Sequence, residues 1–66
     1  MAKLDVQVDG GGTVYLVTPI TQLAKEWVEQ HLSLEGWQWL GGGFAVEHRF
    51  ITALVNGMMA DGLRVA

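Results

Sequence analysis

The chain has 66 residues, of which 50% are hydrophobic and 17% are charged, so its composition excludes intrinsic disorder and predicts one compact domain over residues 1–66. It contains no cysteine, which excludes a disulfide framework and a thiolate metal site. The net charge is −3 with only four basic side chains, and this balance leaves no basic patch for direct nucleic-acid binding.

Two segments at the start of the chain predict a β-hairpin. Residues 4–9, LDVQVD, alternate apolar and polar side chains, which is the pattern of a strand with one wet face. Glycines 10–12 can turn the chain back into residues 13–18, TVYLVT, which are rich in β-branched and aromatic side chains. The two strands should therefore pair through this turn.

The next segment predicts an amphipathic helix. Pro19 ends the second strand, and Thr21 is placed to accept a hydrogen bond at a helix start. From Ile20 to His31 the apolar and semi-apolar side chains recur every three or four residues, with charged residues on the other side. We expect the helix to end near Leu32.

The second half predicts one or two short strands, a second helix and a final strand. Trp37 and Trp39 would lie on one face of a short strand and Phe44 and Val46 on one face of the next, with three glycines forming a turn or bulge between them. From Glu47, apolar residues recur at helical spacing until Gly62 ends the pattern. Residues 63–65, LRV, complete the chain as a short strand.

These elements predict the fold class α/β (α+β), as a two-layer sandwich in the order β-β-α-β-(β)-α-β. Four to five short strands would form a small mixed or antiparallel sheet, and two helices would cover one face. If the strands of Phe44 and Val65 are parallel neighbours, a right-handed crossover joins them. The other sheet face would carry Asp5, Gln7 and Asp9 toward solvent or a partner.

The glycine run and the triplet after it favour structure over catalysis. GGGFAVEH lacks the Gly-Lys-Ser/Thr ending of a phosphate-binding loop. Glu47, His48 and Arg49 are adjacent, so on a helix they point in different directions. A metal site of His31, Glu47 and His48 would need the end of one helix beside the start of the other. We expect no enzyme, no catalytic residue, no cofactor and no metal.

Two stretches carry a family resemblance, PITQLAKEWVEQHL and WQWLGGGFAVEHRFITALVNGMMADGLRV. They resemble a group of short uncharacterised proteins of bacteria and their phages. The shared pattern is a Pro-x-Thr helix start, an Ala-Lys/Arg-x-Trp helix, a Gly-Gly-x-x-Val-Glu-His-Arg-Phe/Tyr-Ile run, and an Asp-Gly-Leu end. It spans residues 14–65 and implies a shared fold.

In its small size, its acidity and the mobile-element origin that this pattern implies, the chain also resembles anti-CRISPR proteins at the level of the class. The resemblance implies binding to a type I surveillance complex, type I-C among them, where it grips target DNA or reads the flanking motif (PAM). One implied route is DNA mimicry, in which carboxylates occupy a basic groove. The protein would then be cytoplasmic, since residues 1–12 lack a secretory signal and no apolar stretch approaches the roughly 18 residues of a membrane span.

The excess negative charge lies in residues 1–36, because in residues 37–66 two acids balance two arginines. Asp5 and Asp9 would lie about 13 Å apart on one strand face, and Glu26 and Glu29 would be helix neighbours at about 5 to 6 Å. Tight binding to a partner would also need an apolar or aromatic anchor on this protein. The predicted partner-binding residues are Asp5, Asp9, Glu26, Glu29, Glu35, Trp37 and Trp39. We expect Asp5, Asp9, Glu26 and Glu29 to converge on one outward-facing acidic patch.

The leading hypothesis is thus a non-enzymatic, acidic inhibitor that binds a host CRISPR complex. The alternative is a small homodimerising structural or regulatory protein of a mobile element. A domain of this size buries only about 60% of the surface that its unfolded chain exposes, so a second copy could stabilise it by covering the spare sheet face.

Overall fold

The computed structural model describes residues 3–34 and 39–66 as a small α+β domain. The elements are β1 (Val6–Gly11), β2 (Val14–Pro19), α1 (Gln22–His31), β3 (Trp39–Leu40), β4 (Gly43–Glu47) and α2 (His48–Ala60). Three strands of five or six residues form an antiparallel sheet in the order β1-β2-β4, and the two-residue β3 pairs with β4 at its outer edge.

The strand register decides which side chains enter the core. Val17 in the central strand lies opposite Val8 on one side and Phe44 on the other. Because side chains alternate across a strand, these residues share one sheet face, and both helices pack on that face. The buried core consists of Val6, Val17, Ala24, Val28, Phe44, Met58 and Leu63.

Both hairpin turns lie in the predicted glycine runs. The turn between β3 and β4 places Gly41 at φ +68°, a left-handed conformation that side chains other than glycine adopt at a cost. The turn between β1 and β2 falls at residues 12–13, since Gly10 and Gly11 belong to β1. The predicted hairpin is confirmed, with its first strand shifted by two residues.

Helix α1 starts as predicted. Thr21 is its N-cap, and the Thr21 hydroxyl accepts a hydrogen bond from the backbone N–H of Ala24 at 3.2 Å. This local rule, a hydroxyl three residues ahead of an unpaired N–H, could be read from the sequence alone. Helix α2 starts at His48, next to the predicted Glu47, but the Glu47 side chain makes no capping hydrogen bond.

The end of the chain lies beside β1, which corrects the predicted crossover. Val65 forms a single parallel bridge with Val6, and the Val6 N–H donates to the Arg64 carbonyl at 3.0 Å. Strands β1 and β2 separate this segment from β4, so the strands of Phe44 and Val65 are not neighbours. Leu63, only 4% exposed, enters the core just before the bridge and so draws the segment to the free edge of β1.

Candidate interaction surface

The predicted acidic residues do not converge on one face. Asp9 lies exposed on the sheet face that the helices leave uncovered, across from Leu16. Glu26 and Glu29 lie exposed on α1, which packs on the opposite face. The sheet therefore separates them from Asp9, and a continuous array of carboxylates does not form from these residues. Glu35 and Trp37 lie outside the described residues.

Asp5 serves as an internal clamp. Its carboxylate accepts a hydrogen bond from the Thr21 hydroxyl at 2.7 Å and one from the Arg64 backbone N–H at 2.9 Å. The Arg64 N–H and then the Thr21 hydroxyl hold the pKa of Asp5 below its ordinary value, because both bonds favour the ionised form. Asp5 thus joins the cap of α1 to the backbone of Arg64, a structural role for a residue that the sequence predicts to bind a partner.

Replacing Asp5 by asparagine should lower stability near neutral pH and flatten its acid dependence, because the amide offers one acceptor oxygen where the carboxylate offers two. The folded pKa is depressed, so the wild-type advantage is fully present above the ordinary aspartate pKa of about 3.9 and is lost as the pH falls through the folded value. Thermal unfolding of the wild type and of Asp5→Asn from roughly pH 7 to pH 2 measures how the stability difference between them depends on pH.

The matched control is Asp9→Asn, which removes an exposed strand carboxylate and should preserve the pH profile of the wild type. An Asp5→Asn protein whose unfolding follows that of the wild type at every pH would contradict the clamp.

Trp39 belongs to the core side of the sheet. It is half-buried, and its ring meets the Phe44 ring edge-on, with centroids 5.4 Å apart and an interplanar angle of 73°. This arrangement suits the aromatic quadrupoles and stabilises the edge of the core. The predicted role of Trp39 as a partner anchor therefore competes with a packing role that the structure does give it.

The face that the helices leave uncovered has an aliphatic centre. Leu16 lies between Asp9 of β1 and Ala45 of β4, and Val14 beside it is 47% exposed. We call this surface the open sheet face; its outward side chains are Gln7, Asp9, Val14, Leu16, Thr18, Ala45 and Glu47.

Carboxylates flank the aliphatic centre on both sides. The Asp9 carboxylate accepts hydrogen bonds from the Gln7 amide at 3.1 and 3.3 Å. Glu47 lies across from Val14 and forms an exposed ion pair with Arg49 at 3.1 Å. The open sheet face thus combines an apolar strip with an acidic rim of Asp9 and Glu47, of which Glu47 is paired with Arg49, and an apolar centre inside a polar rim is typical of protein interfaces.

Sequence reasoning missed Val14, Leu16, Ala45 and Glu47 as members of this surface. One signal was present, because VYLV in β2 is apolar at successive positions and such a run is typical of a strand covered on both faces. Here the helices cover only one of those faces. The second face of β2 therefore carries apolar side chains that the helices do not cover.

The Glu47-His48-Arg49 triplet lies where β4 ends and α2 begins. Glu47 ends β4, the His48 backbone N–H donates to the Thr13 carbonyl at 2.9 Å, and the Arg49 guanidinium lies 4.9 Å from the centre of the Phe50 ring. Within residues 3–34 and 39–66, no three His, Asp or Glu side chains form a group that could hold a metal ion.

No family model, curated protein or solved structure matches the chain. The resemblances to the bacterial and phage group and to anti-CRISPR proteins therefore stay predictions. In the part of the chain that the structure describes, neither helix has the length and hydropathy needed to cross a membrane.

Proposed function

We propose that the protein is a non-enzymatic binding module that docks on a basic protein surface through the open sheet face. The observation that carries this proposal is the uncovered strip of Val14, Leu16 and Ala45 between two carboxylates. Apolar side chains in contiguous exposed positions mark interaction sites. The Asp9 carboxylate and the net charge of −3 accelerate encounter with a cationic partner and select against acidic ones.

A second copy of the chain fits this surface less well than a basic partner does. Two copies each carry a net charge of −3. Face-to-face packing would also bring the acidic rim of one copy near that of the other, which opposes association. A partner with opposite charge removes this repulsion, so we favour a heterologous complex.

The specific partner that we propose is a type I CRISPR surveillance complex, whose basic grooves hold target DNA or read the motif beside it. Asp5 is engaged inside the fold, and Glu26 and Glu29 lie on the far side from Asp9. Because the carboxylates are separated in this way, full DNA mimicry is disfavoured. We favour steric blocking of DNA binding, in which the apolar strip makes the contact and the acidic rim surrounds it. The molecule would be a phage-derived inhibitor that acts in the host cytoplasm.

The test is target-DNA binding by purified type I complexes, type I-C among them, in the presence of the protein. The wild type should block binding, and Leu16→Ala should weaken the block at least about tenfold, or 1.4 kcal/mol, because Leu16 is the centre of the proposed contact. Asp9→Asn combined with Glu47→Gln should weaken it too, most strongly at low salt.

The matched control is Glu26→Gln combined with Glu29→Gln, which removes the same charge from the opposite side and should leave the block intact. Equal loss in both double variants would contradict docking through the open sheet face, and unimpaired DNA binding by every complex would remove the CRISPR partner.

Light scattering tests the alternative, a homodimer. A stable dimer that Leu16→Ala dissociates would assign the open sheet face to a second copy of the chain.

A further inference from the structure

The C-terminal ends of the two helices bring together a histidine and an aspartate. His31 ends α1 and Asp61 follows α2, and the His31 Nε2 lies 3.6 Å from the Asp61 Oδ2. The two side chains are 45% and 52% exposed, so solvent reaches both. Helix α2 has 13 residues and is about 20 Å long, so its start, with His48, lies far from this pair.

Trp27 orients both members of the pair. Its indole N–H donates to the Asp61 Oδ2 at 2.6 Å, and the His31 ring stacks on the indole with centroids 4.2 Å apart and an interplanar angle of 13°. The His31 Nδ1 lies 2.9 Å from the Trp27 carbonyl oxygen. Because a carbonyl only accepts, Nδ1 carries the hydrogen of this bond, which leaves Nε2 as the ring nitrogen that can bind a metal beside Asp61.

A metal-binding histidine commonly donates its second ring N–H to a backbone carbonyl, and a metal-binding carboxylate is commonly held by a hydrogen bond. Both conditions are met here by the same residue, Trp27. Two donors at bonds of about 2.0 to 2.1 Å and a tetrahedral angle lie roughly 3.3 Å apart. The observed 3.6 Å requires a movement of only a few tenths of an ångström.

We propose that His31 and Asp61 form a two-ligand site for Zn²⁺, oriented by Trp27. In the described parts of the chain no third acidic or histidine side chain completes a metal group, so water fills the remaining positions. Zn²⁺ binds both imidazole nitrogen and carboxylate oxygen, and this pair offers one ligand of each kind. The site is separate from the open sheet face and does not depend on the proposed function.

The test is a Zn²⁺ titration of the full chain, followed by NMR of the Trp27 indole N–H and the His31 ring. We expect saturable shifts of both signals, and no such shifts with Mg²⁺, which prefers oxygen ligands. His31→Gln and Asp61→Asn should each weaken binding at least about tenfold, and Trp27→Phe, which removes the indole N–H, by about 10- to 100-fold.

The control is His48→Gln, which changes the other histidine and should leave the Zn²⁺ affinity unaltered. His31 and Asp61 are exposed, so their variants should remain folded even if Trp27→Phe does not. NMR shifts that do not saturate with Zn²⁺ would overturn the site. A Zn²⁺ affinity that persists in His31→Gln and falls in His48→Gln would also overturn it, and His31 and Asp61 would then be only a surface ion pair.

Discussion

Phe44→Ala should lower the free energy of unfolding by about 3–5 kcal/mol, because it deletes an aromatic ring from the centre of a thin core. Phe44 is 1% exposed and is the largest of the fully buried side chains. Total stability of a domain is roughly 0.05–0.15 kcal/mol per residue, so the loss is comparable with the whole for so short a chain. We expect a protein that is largely unfolded or melts far below the wild type.

Phe50→Ala is the matched control, since the Phe50 side chain is 54% exposed and its removal should change stability by less than about 0.5 kcal/mol. Denaturant unfolding followed by circular dichroism compares the two variants with the wild type. Equal effects of the two substitutions would mean that Phe44 does not occupy the core as described.

Gly43→Ala should lower the free energy of unfolding by about 1–3 kcal/mol through overpacking. A Cβ at Gly43 would lie 2.7 Å from the Thr18 hydroxyl oxygen and 2.8 Å from the Val17 carbonyl oxygen, and the second of these belongs to the backbone. The same Cβ would lie 3.2 Å from a methyl group of Leu16. Strand β4 must therefore move away from β2, or the side chains of β2 must shift.

Gly42→Ala separates this crowding from a general effect of adding a methyl group, because a Cβ at Gly42 meets only the Thr18 methyl group, at 4.0 Å. Thermal unfolding of both variants should show a clear loss for Gly43→Ala and a small change for Gly42→Ala. Similar melting curves for the two would contradict the close approach at Gly43.

The Gly43 contacts also connect packing with the proposed function. Leu16 and Thr18 lie over Gly43 on the open sheet face, so the missing side chain lets the aliphatic strip lie flat. A Gly43→Ala protein that stays folded should present Leu16 differently and bind its partner less well. Gly43 itself is buried, so it acts on the open sheet face through Leu16 and Thr18.

Several features of the fold follow from local rules and could be predicted. The cap at Thr21 and the amphipathic pattern of α1 depend on side chains within one or two turns of each other. The hairpin of β1 and β2 depends on alternation and on glycines between the strands. These rules concern neighbours in the chain, so the residues alone carry the information.

The residues of the candidate interaction surface could not be predicted in the same way, because contacts between residues far apart in the chain decide which acidic side chains lie on it. The alternating pattern indicates that Asp5 is outward-facing, yet its carboxylate bonds to Thr21 and Arg64, which lie 16 and 59 residues away. The sequence predicts that Asp9 and Glu26 share one acidic surface, but the packing of α1 places them on opposite sides of the sheet.

By itself, the sequence determined the class of the domain, its acidity, its two helices and the hairpin at its start, because composition and periodicity encode these directly. The tertiary structure alone decided which face of β2 stays uncovered, which acids share that face, and that His31 meets Asp61 beside Trp27. The reason is physical: surfaces and paired sites form where separate elements pack together, and no local pattern records that packing.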